Sequence, residues 1–215
     1  LTNFLLLYES ISNYSKTDID QGNTPFDIYK LCSCIRETFC LSYSIRKENN
    51  FYIFCHNGNI LIKFEGEKLR FLSSDERSQA LLINKAINLS TNIKKFDDWY
   101  KSTPGIYVRK FQKFKSFVNF IKILRTNNIL IMNNFNKFDF KFEEIEFNQI
   151  RDSLNSLFII PIYKNVEILN YALNILKENE ELNLLNLPKI ESIENTILYI
   201  NYKIDQIQNS KSNYV

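Results

Sequence analysis

The sequence predicts an α/β fold built on a mostly parallel sheet with helices on both faces. Three strand-like apolar runs, residues 105–108, 129–132 and 157–162, alternate with helical patterns at residues 114–124 and 166–176. Such alternation is what parallel strands and their crossover helices leave in a sequence. With 215 residues, 45% of them hydrophobic, the chain can bury a sizeable core in one domain spanning 1–215. The longest apolar runs, such as residues 157–162, fall well short of the roughly 20 residues that a membrane-spanning helix needs. Residues 1–7 lack the basic leader and small-residue cleavage site of a secretory signal, so a cytoplasmic location is expected.

Each element follows from local pattern. Residues 4–8 are an apolar run fit for a buried strand, and residues 9–25, polar and holding Gly22, predict a loop. Ile28, Leu31, Ile35 and Phe39 recur at helical spacing and predict a helix over residues 28–44. Residues 51–55 and 60–64 flank Gly58 as a hairpin. Ser73 and Glu76 read as a capping box opening a helix that Leu81, Leu82, Lys85 and Ala86 continue. Residues 184–187 predict a last strand, with Pro188 at the entry to a C-terminal helix, where a missing N–H costs nothing. That helix carries Ile190, Ile193, Ile197, Ile200, Ile204 and Ile207 as one apolar stripe. The stripe either faces the core or, in the sharper reading, partly meets a second subunit.

Several chemistries are disfavoured by what is missing. The four glycines, at 22, 58, 66 and 105, form neither a dinucleotide-binding nor a P-loop pattern. One histidine, His56, would have to carry any Ser-His-Asp or Cys-His mechanism alone. Four cysteines, at 32, 34, 40 and 55, contain no Cys-x-x-Cys pair, so no metal is assigned, and Cys32 and Cys34 read as buried free thiols. The acidic pairs Asp97-Asp98 and Glu143-Glu144 read as solvated surface. The net charge of +3 is small, but residues 101–125 hold Lys101, Arg109, Lys110, Lys113, Lys115, Lys122 and Arg125 and no acid. Such a block attracts phosphate or forms a solvated helix face; composition alone favours the solvated face.

Three blocks rise above this background: Leu41-Ser42-Tyr43-Ser44-Ile45-Arg46; Ile62-Lys63-Phe64-Glu65-Gly66-Glu67-Lys68-Leu69-Arg70 with Ser73-Ser74-Asp75-Glu76-Arg77-Ser78 and Leu82-Ile83-Asn84-Lys85-Ala86; and Asp98-Trp99-Tyr100-Lys101-Ser102-Thr103-Pro104-Gly105-Ile106-Tyr107-Val108-Arg109. In order and separation they resemble the archaeal tRNA pseudouridine N1-methyltransferases, clearly over roughly residues 27–109. The resemblance implies a SPOUT-type domain with a C-terminal trefoil knot, a homodimer, S-adenosylmethionine as cofactor, and methylation of N1 of a T-loop pseudouridine, tRNA position 54. A knot is invisible to local pattern. Methyl transfer asks the protein mainly to align the nucleophile and exclude water, so few catalytic side chains are required and none is assigned.

Two sets of site residues are implied. Main-chain groups at Ile131, Met132, Ile160, Pro161, Ile162, Leu185, Leu187 and Pro188 would enclose the cofactor, and Arg46, Arg70, Arg77, Arg109 and Lys110 would contact tRNA. For Arg77 a helix-surface ion pair is an equal alternative. The chain departs from the family at the cofactor loop, where Pro161-Ile162-Tyr163-Lys164-Asn165 stands in place of an approximate Gly-Asp-His-Ile-Gly. Asp27-Ile28-Tyr29 stands where the family has Arg-x-Asp. Proline at 161 removes both an N–H and the freedom of glycine. The alternative reading is therefore a SPOUT-fold RNA-binding or dimeric scaffold protein with impaired catalysis.

Overall fold

The computed structural model describes residues 1–124, 126–131, 142–150, 155–179 and 182–212. The strands are β1 (Thr2–Tyr8), β2 (Asn49–Cys55), β3 (Ile60–Glu65), β4 (Trp99–Thr103), β5 (Ile106–Lys110), β6 (Asn127–Leu130), β7 (Glu143–Ile145), β8 (Ser156–Ile162) and β9 (Leu182–Leu185). The helices are α1 (Lys16–Asp20), α2 (Phe26–Phe39), α3 (Glu76–Thr91), α4 (Phe114–Leu124), α5 (Val166–Asn179) and α6 (Ile193–Ser212). Among the described residues nine strands join one sheet in the order β4-β5-β3-β2-β1-β8-β6-β9-β7. The pairs from β2 through β7 along that order are parallel. The pairs β2–β3, β3–β5 and β5–β4 are antiparallel.

The centre of the sheet shows why the sequence takes this form. Every residue of β1 is buried, because both faces of this strand are covered, as parallel sheets require. Alternation sends Phe4, Leu6 and Tyr8 into a core shared with α2, α3 and α6, and sends Leu5 and Leu7 into a second core under α4 and α5. Phe54 of β2 stacks on Phe117 of α4 in that second core, with ring centroids 3.8 Å apart. Among the described residues no helix is long and apolar enough to cross a membrane.

Most predicted elements form, and the departures have local causes. The hairpin β2–β3 turns through Gly58 and Asn59, both at positive φ. Within the expected loop at residues 9–25 lies α1, whose Ser15–Asp18 capping box is present in both directions. The N-cap of α3 is Asp75, which accepts from the Ser78 amide at 2.7 Å, so Ser73 does not cap the helix; Ser73 bonds the Asp75 carboxylate instead. Strands β4 and β7 escape an apolar-run reading because they lie at or beside the sheet's edges and are half-exposed. α2 ends five residues early, where Cys40 turns extended and bridges Ile45. The last strand is residues 182–185, two residues before its expected position.

The apolar stripe of α6 belongs to the core of this chain. Ile197, Ile200 and Ile204 are buried against the layer that contains α2, and Ile193 packs on its margin, whereas Ile190 precedes the helix. Ile197, Ile200 and Ile204 are therefore taken up within the chain and cannot be the part of the stripe that meets a second subunit, while Ile190, Ile193 and Ile207 stay half-buried. Ile200→Ala is expected to cost about 2–5 kcal/mol, seen as a lower midpoint in urea unfolding. Replacing Ile200 and Ile204 together by Lys is expected to abolish the cooperative transition; a folded monomer after that double change would place the stripe outside the core.

Candidate functional site

In open α/β sheets ligands gather beyond the carboxyl ends of the parallel strands. Here the ends of β6, β8 and β9 lie side by side. Ile131, Ile160 and Leu185 are buried in the core that holds α6, and Ile162 and Leu187 pack against it. Pro161 is buried in register with Leu7, and Pro188 is exposed. Met132 lies outside the described residues. Because the core takes up the side chains of Ile131, Ile160 and Leu185, the main chain is what these positions can offer a ligand.

Pro161 shapes this edge through the hydrogen bond it cannot make. The Ile131 amide donates to the Ile159 carbonyl at 2.8 Å. In a parallel ladder the carbonyl of such a residue would next accept from the amide two positions on, which is residue 161. Proline has no N–H, so this ladder bond to the Ile131 carbonyl is not made.

Beside this edge a cleft of about 510 Å³ is lined by Glu146, Phe147, Asn148, Asn186, Leu187, Pro188, Tyr199 and Lys203. Its size falls in the range of small-molecule sites. Three segments build it. The turn after β7 is braced by Phe147, whose ring stacks on Phe158 of β8. The loop after β9 is tied down by Asn186, which donates its amide to the Ile145 carbonyl and its side chain to Glu146. Tyr199 and Lys203 stand one turn apart on α6. Sequence reasoning found the β9 loop and missed the Glu146–Asn148 wall, because that stretch has no regular pattern beyond a short 3₁₀ turn, Phe147–Gln149.

The five basic candidates divide into separate places. Arg46 makes a bidentate pair with Asp205 of α6, both bonds 2.7 Å, with its side chain 15% exposed. That pair, with its hydrogen bonds, raises the arginine pKa and commits the guanidinium to the fold. Arg70 donates to its own neighbours' carbonyls at Glu67 and Leu69, and Arg77 pairs with Asp20 on the surface. Arg109 and Lys110 lie at the far end of the sheet's antiparallel part, on the carboxyl edge, while Arg46 and Arg70 are at the amino edge.

The three blocks that carry the family resemblance meet at that amino edge. A Cβ on Gly66 would stand 2.5 Å from the Asn49 carbonyl and 2.7 Å from that of Arg46, and one on Gly105 would stand 2.5 Å from the Leu69 amide. Gly105 also turns the β4–β5 hairpin at φ +83° and accepts from the Glu65 amide. The blocks therefore hold one another in place by backbone contact that only glycine permits.

His56 and the thiols take structural positions. His56 packs among Phe54, Phe114, Tyr163 and Tyr171, and burial lowers its pKa against an opposing pull from Glu9. Cys32 and Cys55 are buried thiols pushed up to about 12 by desolvation, which keeps them protonated and unreactive. Glu143 and Glu144 are exposed on β7. Arg46→Ala is expected to destabilise the fold by about 1.5–3 kcal/mol, read in chemical unfolding. Lys110→Ala is expected to leave stability unchanged and to lower the salt slope of RNA binding by about one; a stability loss at Lys110 with none at Arg46 would reverse these roles.

Comparison with known proteins places this geometry. At 34% identity over 118 residues the chain is similar to the tRNA (pseudouridine(54)-N(1))-methyltransferase of Methanocaldococcus jannaschii, covering 48% of this chain and 55% of that protein. It is 37% identical over 91 residues to the protein of the same name from Methanococcus aeolicus, covering 41% of this chain and 42% of the relative. With that of Methanocorpusculum labreanum the identity is 31% over 108 residues, 47% and 52% of the two chains. The chain thus spans about half the length of the curated relatives it matches. A family profile matches far more of it, residues 12–184, which include the carboxyl ends of β6 and β8 and reach into β9. By that match the chain belongs to the family described as "Putative SAM-dependent RNA methyltransferase".

Proposed function

We propose that this chain is an S-adenosylmethionine-dependent RNA methyltransferase that acts on N1 of a pseudouridine in the tRNA T loop, position 54. The observation that carries the reading is the 34% identity over 118 residues to a protein named for that reaction, with a family match over residues 12–184 that takes in residues 131 and 160–162. The edge suits the cofactor: the loop after β9 lines a cleft of ligand size through Asn186, Leu187 and Pro188, and Ile131 and residues 160–162 end the two neighbouring strands of the same edge. Those residues would hold the adenosine and methionine parts by main-chain donors and acceptors. The cofactor, when bound, supplies an electrophilic methyl group on a sulfonium. What remains for this chain is to align the target nitrogen and exclude water, tasks of position more than of acid–base chemistry. Arg109 and Lys110 contact the RNA backbone; Arg46, Arg70 and Arg77, engaged within the fold, contribute less.

The reading includes a SPOUT-type domain over 1–215 with a C-terminal trefoil knot, working as a homodimer in the cytoplasm. The strand order supports the knot, since β6 lies between β8 and β9, which follow it, and α6 returns from β9 to pack on α2. Leu198 and Tyr202, one turn apart on α6 and 49% and 53% exposed, are the apolar groups a second copy would cover. Pro161 favours the rival reading, a dimeric RNA-binding scaffold that has lost the cofactor.

Mass spectrometry of nucleosides separates the two. After incubation with S-adenosylmethionine, a T-arm stem-loop bearing pseudouridine is expected to yield N1-methylpseudouridine, and the same RNA bearing uridine none. Pro161→Gly, which removes the ring and restores backbone freedom at the loop, is expected to tighten S-adenosylmethionine binding, read by calorimetry. Should neither the natural chain nor Pro161→Gly bind the cofactor at millimolar concentration, the scaffold reading replaces the enzyme.

A further inference from the structure

We propose that the face of β4, β5 and β3 beside α4 is a stacking platform for unpaired nucleotides of the RNA, with Trp99 and Tyr107 receiving bases and Arg109 and Lys101 receiving phosphates. The inference rests on RNA as the substrate class and adds the surface that would hold it. Cross-strand register builds the platform. One rung runs Trp99, Arg109, Leu61, Phe54, and the next runs Lys101, Tyr107, Lys63, Tyr52. Partners in a rung project to the same face of the sheet. That face is the α4 side, because Leu61 and Phe54 lie in the core under α4 and the Trp99 ring meets Phe120 of α4 edge to face at 5.7 Å.

The helix covers the first rung only in part, and the second rung opens outward from buried Tyr52 to Lys101. Trp99 is 37% exposed, Lys101 is exposed, and Tyr107 and Lys63 are half-buried. Cations and rings alternate across this surface: Lys63 Nζ lies 5.9 Å from the Tyr52 ring, Lys68 Nζ lies 6.0 Å from Tyr107, and the Arg109 guanidinium carbon lies 5.7 Å from Trp99. A surface of this make-up suits a nucleic acid strand, which offers flat rings and anions in alternation.

Arg109 gives the surface its direction. Its guanidinium is walled by Trp99, Phe111 and Phe120, and its Nε is buried with no hydrogen-bond partner. Among the described residues no carboxylate stands within ion-pair distance of it, although Asp97 and Asp98 act on it from further off. A desolvated cation without a bound anion is costly, and a phosphate would relieve that cost. The nearby acids are already engaged at two points: Glu65 pairs with Lys63 and Lys68, and Asp98 pairs with Lys95. Exposed Lys113 just before α4, and Lys115 and Lys122 on it, extend the positive field. The Trp99 rung continues through Phe54 to Leu7 and Pro161. Five strand spacings separate Trp99 from the altered cofactor loop, about 24 Å, so one RNA stem-loop can reach both.

Trp99 is the only tryptophan, so its emission reports on the platform without a label. The full chain is titrated with a T-arm stem-loop RNA and, separately, with inorganic polyphosphate and with anionic phospholipid vesicles. The expected result is quenching by RNA and none by polyphosphate, with Trp99→Phe keeping RNA affinity and Trp99→Ala weakening it about tenfold. Lys101→Ala, at an exposed position that does not threaten folding, is expected to lower the salt slope by about one. RNA binding without quenching, and with Trp99→Ala unchanged, overturns the platform while leaving the methyltransferase reading intact. A spectral shift with vesicles and none with RNA overturns it in favour of a membrane contact. Failure of the natural chain to bind RNA by any readout overturns both readings together.

Discussion

Everything at the carboxyl edge depends on how α6 is docked. Three isoleucines, Ile197, Ile200 and Ile204, supply the burial, but apolar contact alone does not fix rotation or register. Directional bonds do. Asn201 is buried, donates to the Glu37 carbonyl and accepts from Asn49, which itself donates to the Thr38 carbonyl. One turn further on, Asp205 clasps Arg46. These bonds pin the helix to the end of α2 and the start of β2, and so fix where Tyr199 and Lys203 stand in the cleft. A helix held at the amino edge of the sheet thereby forms one wall of a site at its other side.

The chain-specific feature of that site is a backbone event. A glycine at residue 161 would have an amide to offer the Ile131 carbonyl, whereas Pro161 has none. The site's main-chain polar groups are otherwise set by burial of their own side chains. Extensive substitution by Lys, Asn and Ile elsewhere can therefore leave the cradle standing, since the cradle is written in position more than in side-chain identity. Arg46 illustrates the converse: a basic residue inside a family-like block proves to be a structural clasp once its partner, 159 residues away in sequence, is known.

How much was legible follows from this distinction. The buried strands β1, β2 and β8 announce themselves as apolar runs, because burial on both faces leaves no other choice of residue, β3 by the hairpin turn at Gly58, and α2 and α3 by spacing. Strands β4 and β7 lie at or beside the edges, keep solvent on their outer faces, and carry no such signature. The isoleucine stripe was legible as a stripe, but periodicity alone cannot say what covers it. The three resembling blocks identified the family and not the site, since Gly66 and Gly105 serve backbone packing at the amino edge. The Glu146–Asn148 wall of the cleft lies within the family match yet has no regular pattern, so only the structure brings it against α6.

The central claim is that a main-chain cradle at the ends of β6, β8 and β9, closed by α6, holds the cofactor. Amide hydrogen exchange with and without S-adenosylhomocysteine tests it most directly, because exchange reads the main chain itself. Slower exchange confined to residue 131, residues 162–163, residues 185–187 and the α6 turn holding Tyr199 and Lys203 is the predicted result. Protection centred on residues 56–60 and 109–114, or unchanged exchange at 185–187 under saturating ligand, would contradict it.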